Sequence, residues 1–78
     1  TNQFEKAINN YLQITSLDKE GIFVDDAIYQ IAEIYKDKLK NKEKASEYYQ
    51  KIIFDHPSSI YLVEARKKYR TLRGDNIN

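Results

Sequence analysis

The sequence predicts an all-α protein of about four helices, folded as antiparallel hairpins that stack side by side. Three observations carry this expectation. Gly and Pro together number only three in 78 residues, so little breaks a helix, while 41% of the residues are apolar. Apolar residues recur about once per helical turn in four separate segments. The whole pattern then returns after a fixed interval, the mark of stacked helical units.

The first segment puts Phe4, Ala7, Ile8, Tyr11 and Ile14 or Thr15 on one stripe. The second does the same with Ala27, Ile28, Ile31, Ile34 and Tyr35, and the third with Ala45, Tyr48, Tyr49, Ile52 and Ile53. Leu62, Ala65, Tyr69 and Leu72 mark a fourth. Pro57 cannot continue a helix and disfavours helical backbone at His56, so the third segment ends there. Ser59 is the expected N-cap of the fourth helix and Asn41 of the third, and Gly21 stands at the matching place before the second. The expected spans are about 2–16, 22–38, 42–55 and 60–73, a single helical domain over 1–73 followed by a disordered polar tail over 74–78. Short connections make consecutive helices antiparallel neighbours.

Sliding the chain by thirty-eight positions exposes the repeat. Glu5-Lys6-Ala7 falls on Glu43-Lys44-Ala45, Tyr11 on Tyr49, Ile14 on Ile52, Ile22 on Ile60 and Ala27 on Ala65. Similar residues fill the gaps, as where Val24 meets Leu62 and Asp26 meets Glu64.

These residues resemble the tetratricopeptide repeat. Ile28, Ile31, Ala32 and Tyr35 in one helix, then Ala45 and Tyr49 in the next, closed by Pro57, match its helical hairpin, with Ala32 and Ala45 as the small residues where the helices cross. The resemblance implies a right-handed superhelix and a role in holding or scaffolding other proteins. Segments 23–30 and 56–61 look like the longer-period branch found in bacterial outer-membrane lipoproteins and periplasmic coordinators, which puts the expected location in or near the bacterial periplasm, with the cytoplasm open. Two departures stand out: an extra residue between Tyr35 and Ala45, which lengthens the loop at Asp37–Lys40, and a bulky Ile52 where the family commonly has a small residue. At the same offset Ile28, Ala32 and Tyr35 become Arg66, Arg70 and Arg73, so the fourth helix is expected to be a solvated cap. The chain is accordingly expected to be the C-terminal piece of a longer protein.

The resemblance implies peptide binding along the first helix of each hairpin. That face would present Asp26, Tyr29, Gln30, Glu33 and Lys36 on the second helix, and Glu64, Lys67, Lys68 and Thr71 on the fourth. Mixed aromatic and charged side chains suit recognition, and an ordinary solvated face is the plain alternative.

Other chemistry finds little support. Thirteen basic and twelve acidic residues give a net charge of +1, too balanced for the whole chain to grip nucleic acid or a membrane surface electrostatically. The balance is uneven, however: residues 1–39 carry four basic and seven acidic side chains, and 40–78 carry nine and five. Arg66, Lys67, Lys68, Arg70 and Arg73 could contact phosphates, but they wrap around the helix and read better as a solubilised cap. With no Cys and one His, no metal site is expected, nor is a cofactor, a membrane span or a nucleophilic constellation. His56 reads as a turn residue, Asp25 and Asp26 as acids favoured in a helix's first turn, and Arg73-Gly74-Asp75 as a chance copy of the integrin tripeptide in which Gly74 ends the helix. An apolar N-terminal end makes self-association another expected property.

Overall fold

The computed structural model describes residues 2–17 and 23–74. Within them lie four α-helices: α1 (Asn2–Leu17), α2 (Val24–Asp37), α3 (Lys42–Asp55) and α4 (Leu62–Leu72). Each packs on the next, α1 on α2, α2 on α3 and α3 on α4. The chain measures 38 × 32 × 14 Å, an array that is thin in one dimension and in which side chains of α2 also reach α4.

Local chemistry sets the helix ends. Asp25 and Asp26 lie in the first turn of α2 and Lys36 in its last, both favourable against the helix dipole. The reversal into α3 folds Lys38 and Leu39 back so that both amides donate to the Ile34 carbonyl, at 2.9 and 3.0 Å, while Asn41 donates to Tyr35 at 2.7 Å. Lys40 closes this lengthened loop at φ 55°, a left-handed conformation uncommon for a side chain of its kind. Asn41 then caps α3, its Oδ1 accepting from the Lys44 amide at 3.1 Å. α3 stops at Asp55, and His56, ahead of Pro57, leaves the helical region at φ −133°, ψ 58°.

Ser59 does not take the N-cap position predicted for it. The helix begins at Leu62 with Tyr61 as the capping residue. Ser59 instead organises the preceding turn: its Oγ accepts from the Tyr61 amide at 2.9 Å, and its hydroxyl donates to Asp25. The expected helix thus starts two residues late, because the serine closes a turn of its own. At the other end α4 closes on Gly74, whose φ of +83° places it in the left-handed cap conformation that glycine adopts without cost. Gly21 and the tail beyond Gly74 lie outside the described residues, as does the start predicted for the second helix at 22.

The core is a line of small and large residues across three helices. Val24, Ile28 and Ala32 of α2, Ala45, Tyr49 and Ile52 of α3, and Ala65 of α4 form one buried cluster. Ala32 and Ala45, the expected crossing residues, are fully buried. Ile52 is also fully buried, in one cluster with the three alanines. Tyr35 and Tyr48 stack across the hairpin with ring centroids 5.7 Å apart. Ala27 and Ile31 of α2 and Ile8 of α1 are buried as well, and α1 packs on α2.

Candidate functional site

The stripe on α2 beside the buried cluster carries Asp26, Tyr29, Gln30, Glu33 and Lys36, one or two per turn. All five are half-buried. α4 contributes Glu64, Lys67 and Thr71, which are exposed, and Lys68, which is half-buried. Between the two helices runs a continuous polar and aromatic network.

Its centre is Tyr29. The ring stacks on Tyr61 with centroids 4.4 Å apart and planes 17° from parallel, and meets Tyr49 edge-on at 5.9 Å. Lys68 Nζ lies 5.0 Å from the Tyr29 ring centre and donates to the Tyr29 hydroxyl at 2.7 Å. The same ammonium reaches Glu33 Oε2 at 2.7 Å. Glu33 also accepts the hydroxyl proton of the buried Tyr49. At the other end of the stripe Tyr61 donates to Asp26 Oδ1 at 2.5 Å, and Ser59 to Asp25. Asp25 Oδ1 further accepts from the Asp26 amide at 2.9 Å, so both acids serve as ties as well as dipole partners.

The electrostatics follow the contacts. Burial, then the hydrogen bond to the Glu33 carboxylate, raises the Tyr49 hydroxyl far above its ordinary range. The bond to Asp26 leads in pushing Tyr61 up to about 12. Partial burial of Lys68 opposes its charge, but Glu33 and Tyr29 outweigh that and its pKa is raised. Elsewhere on the stripe Lys36 bonds Asp37 at 2.6 Å and holds that carboxyl below its usual value. Thr71 returns its hydroxyl to the Lys67 carbonyl at 3.0 Å, a bond within its own helix.

Of the residues expected to form one face, Asp26, Tyr29, Glu33 and Lys68 are engaged in fastening α2 to α4. Sequence reading missed three members of that network: Tyr61, Tyr49 and Ser59. Their partners lie 35, 16 and 34 positions away. Two of those separations approach the internal repeat, the one signal that could have pointed to them.

A separate groove of about 540 Å³ lies among Leu12 and Thr15 of α1, Val24 and Ile28 of α2, Tyr48, Lys51 and Asp55 of α3, and His56. Among the described residues no group of three or more His, Cys, Asp or Glu is gathered as a metal site, and no helix is long and apolar enough to cross a membrane.

A family model described as the tetratricopeptide repeat matches residues 25–53. The matched stretch is the α2–α3 hairpin together with the loop through Lys40. No curated protein and no solved structure matches the chain.

Proposed function

Taking residues 25–53 as a tetratricopeptide repeat, a unit that typically mediates contacts between proteins, we propose that this chain holds a protein partner and catalyses nothing. The partner is an extended peptide or a helix laid along the face shared by α2 and α4. The observation that carries this reading is the Tyr29–Tyr61–Lys68–Glu33 network, which locks the two helices in one relative position. A face ordered before binding has little side-chain entropy left to lose on contact. Its rim is chemically varied, with Glu64, Lys67 and Thr71 exposed beside the half-buried Gln30 and Lys36. Mixed charge of this kind favours partners with complementary charges in register and not a uniformly charged polymer.

Displayed random peptides, selected against the immobilised chain, test the reading. Selected peptides should bind Lys67→Glu and Glu64→Lys about tenfold more weakly, a loss of about 1.4 kcal/mol. Lys51→Glu, in the groove lined by α1, α2 and α3, should change nothing. Glu33 is unsuitable as the diagnostic position, because reversing its charge would also strand the Tyr49 hydroxyl and Lys68. Peptides that ignore the α4 variants and respond to Lys51→Glu would move the binding site to the groove beside Lys51 and defeat the proposal.

A further inference from the structure

The largest apolar exposures gather where the helices turn. Among the described residues Leu17, Phe23, Phe54, Ile60 and Val63 are 59–86% exposed, and the next, Leu12 and Ile14, drop to 37%. Leu17 ends α1, Phe23 precedes α2, Phe54 lies in the last turn of α3, and Ile60 and Val63 flank the start of α4. Antiparallel packing brings these four helix ends to one edge of the array. Thr15, Val24, Asp55 and His56 share a groove, which joins the first three ends. The bonds from Ser59 to Asp25 and from Tyr61 to Asp26 set Ile60 beside the start of α2.

The packing of the helices does not use this edge. At the thirty-eight-residue offset Leu17 falls on Asp55, Phe54 on Ser16 and Val63 on Asp25, so these side chains are no part of the recurring core pattern. A helix added beside α1 or α4 would lengthen the array and leave the edge open. Large apolar side chains concentrated in this way mark an interaction surface, whereas scattered ones would not.

The charge at the edge has one sign. Asp25, Asp26, Asp55 and Glu64 lie within a turn of the four helix ends, and among the described residues no Lys or Arg does. None of these acids forms an ion pair with a described residue. Asp25 and Asp26 accept only from neutral donors. The positive ends of α2 and α4 are opposed there by the negative ends of α1 and α3, which leaves the carboxylates to set the local potential.

We propose that this edge holds a segment of another protein in which large apolar side chains alternate with Lys or Arg. The apolar residues cover Phe54, Ile60 and Val63, and the cations sit over Asp55 and Glu64, the two exposed acids. Other occupants match less well. An anionic lipid surface would be repelled by the carboxylates, and pairing this edge with its own copy would double them. The opposite edge of a second copy offers Lys38, Lys40 and Lys42 but, among the described residues, no large apolar side chain more than half exposed. Asp26 and Glu64 border both this edge and the face of α2 and α4 assigned above, yet either surface can fail without the other.

The probes are three capped synthetic peptides of equal length, alternating Lys with Leu, Glu with Leu, and Lys with Ser. Each is titrated into the intact chain and followed by fluorescence polarisation and amide NMR shifts. The Lys-Leu peptide should bind with shifts centred on Phe54, Ile60 and Val63, and the other two at least tenfold more weakly. Phe54→Ser combined with Ile60→Ser should weaken the Lys-Leu peptide at least tenfold while the free variant keeps its helical circular dichroism. Asp55→Lys should weaken it about threefold. Lys67→Glu, which tests the face of α2 and α4, should not weaken it. Four results would overturn the proposal: no binding at millimolar peptide; equal binding of the Glu-Leu peptide; sedimentation with phosphatidylcholine vesicles that Ile60→Ser abolishes, meaning that lipid covers the edge; or a dimer that Ile60→Ser dissociates, meaning that a second copy does.

Discussion

Glu33 bonds both Tyr49 of α3 and Lys68 of α4, and a double-mutant cycle with Tyr49 measures the first of these ties. Tyr49 is fully buried and its hydroxyl donates to Glu33, which also accepts from Lys68 at 2.7 Å. Tyr49→Phe removes only the donor and leaves Glu33 its bond to Lys68. One hydrogen bond to a charged group is lost, and the expected cost is about 1.5 kcal/mol. Glu33→Leu removes the acceptor instead. The Tyr49 hydroxyl is then buried without a partner, at about 1–3 kcal/mol, and the part-exposed ion pair with Lys68 contributes up to about 1 kcal/mol more, giving roughly 1–4 kcal/mol in all. In the double variant position 49 carries no hydroxyl to strand, so the total should fall short of the sum of the single losses by about 1 kcal/mol or more. Urea unfolding followed by circular dichroism reads these values, and in thermal melts each kcal/mol corresponds to about 4–8 °C for a domain of this size. Strict additivity would refute the network as described.

Ile52→Ala should cost about 3 kcal/mol, because a fully buried branched side chain is lost from the core cluster; Phe54→Ala, on the same helix but 69% exposed, should cost less than about 0.5 kcal/mol by the same unfolding assay. Asn41→Ala removes the acceptor of the Lys44 amide and should cost about 1 kcal/mol, with hydrogen exchange accelerating in the first turn of α3. Raising the pH should destabilise the fold over the range from about 10 to about 12. Tyr61 is raised to about 12 in the folded chain against an ordinary 10.0, so its contribution is complete below 10 and vanishes as the pH rises through 12, and the raised Lys68 acts in the same direction. Tyr61→Phe should flatten that loss in urea midpoints compared at pH values of about 9 and 11.5; an unchanged slope would count against the Asp26 bond.

Much of the fold is legible directly in the residues. Period-3.6 apolar stripes place all four helices, Pro57 stops α3, Asn41 caps it, and Ala32 and Ala45 are buried where the hairpin crosses. Ser59 falls in the turn and not at the cap because a serine can serve either with the same oxygen, and only the position of Asp25 in space selects the turn. The face on α2 is legible as a stripe, but its state is not: Tyr29 and Glu33 have the spacing of solvated residues and are half-buried under Lys68 and Tyr61.

The number of helices and the direction of their apolar faces follow from residue order alone, since both depend on neighbours within a turn or two along the chain. Residue order also carries the thirty-eight-residue recurrence, and with it the contrast between Ile28 and Ala32 on one helix and Arg66 and Arg70 on the other. Which polar groups spend their hydrogen bonds on each other is settled by packing in three dimensions. Those partners lie up to 39 positions apart, and a short-range interaction between them exists only once α3 has brought α2 and α4 within a side chain's reach.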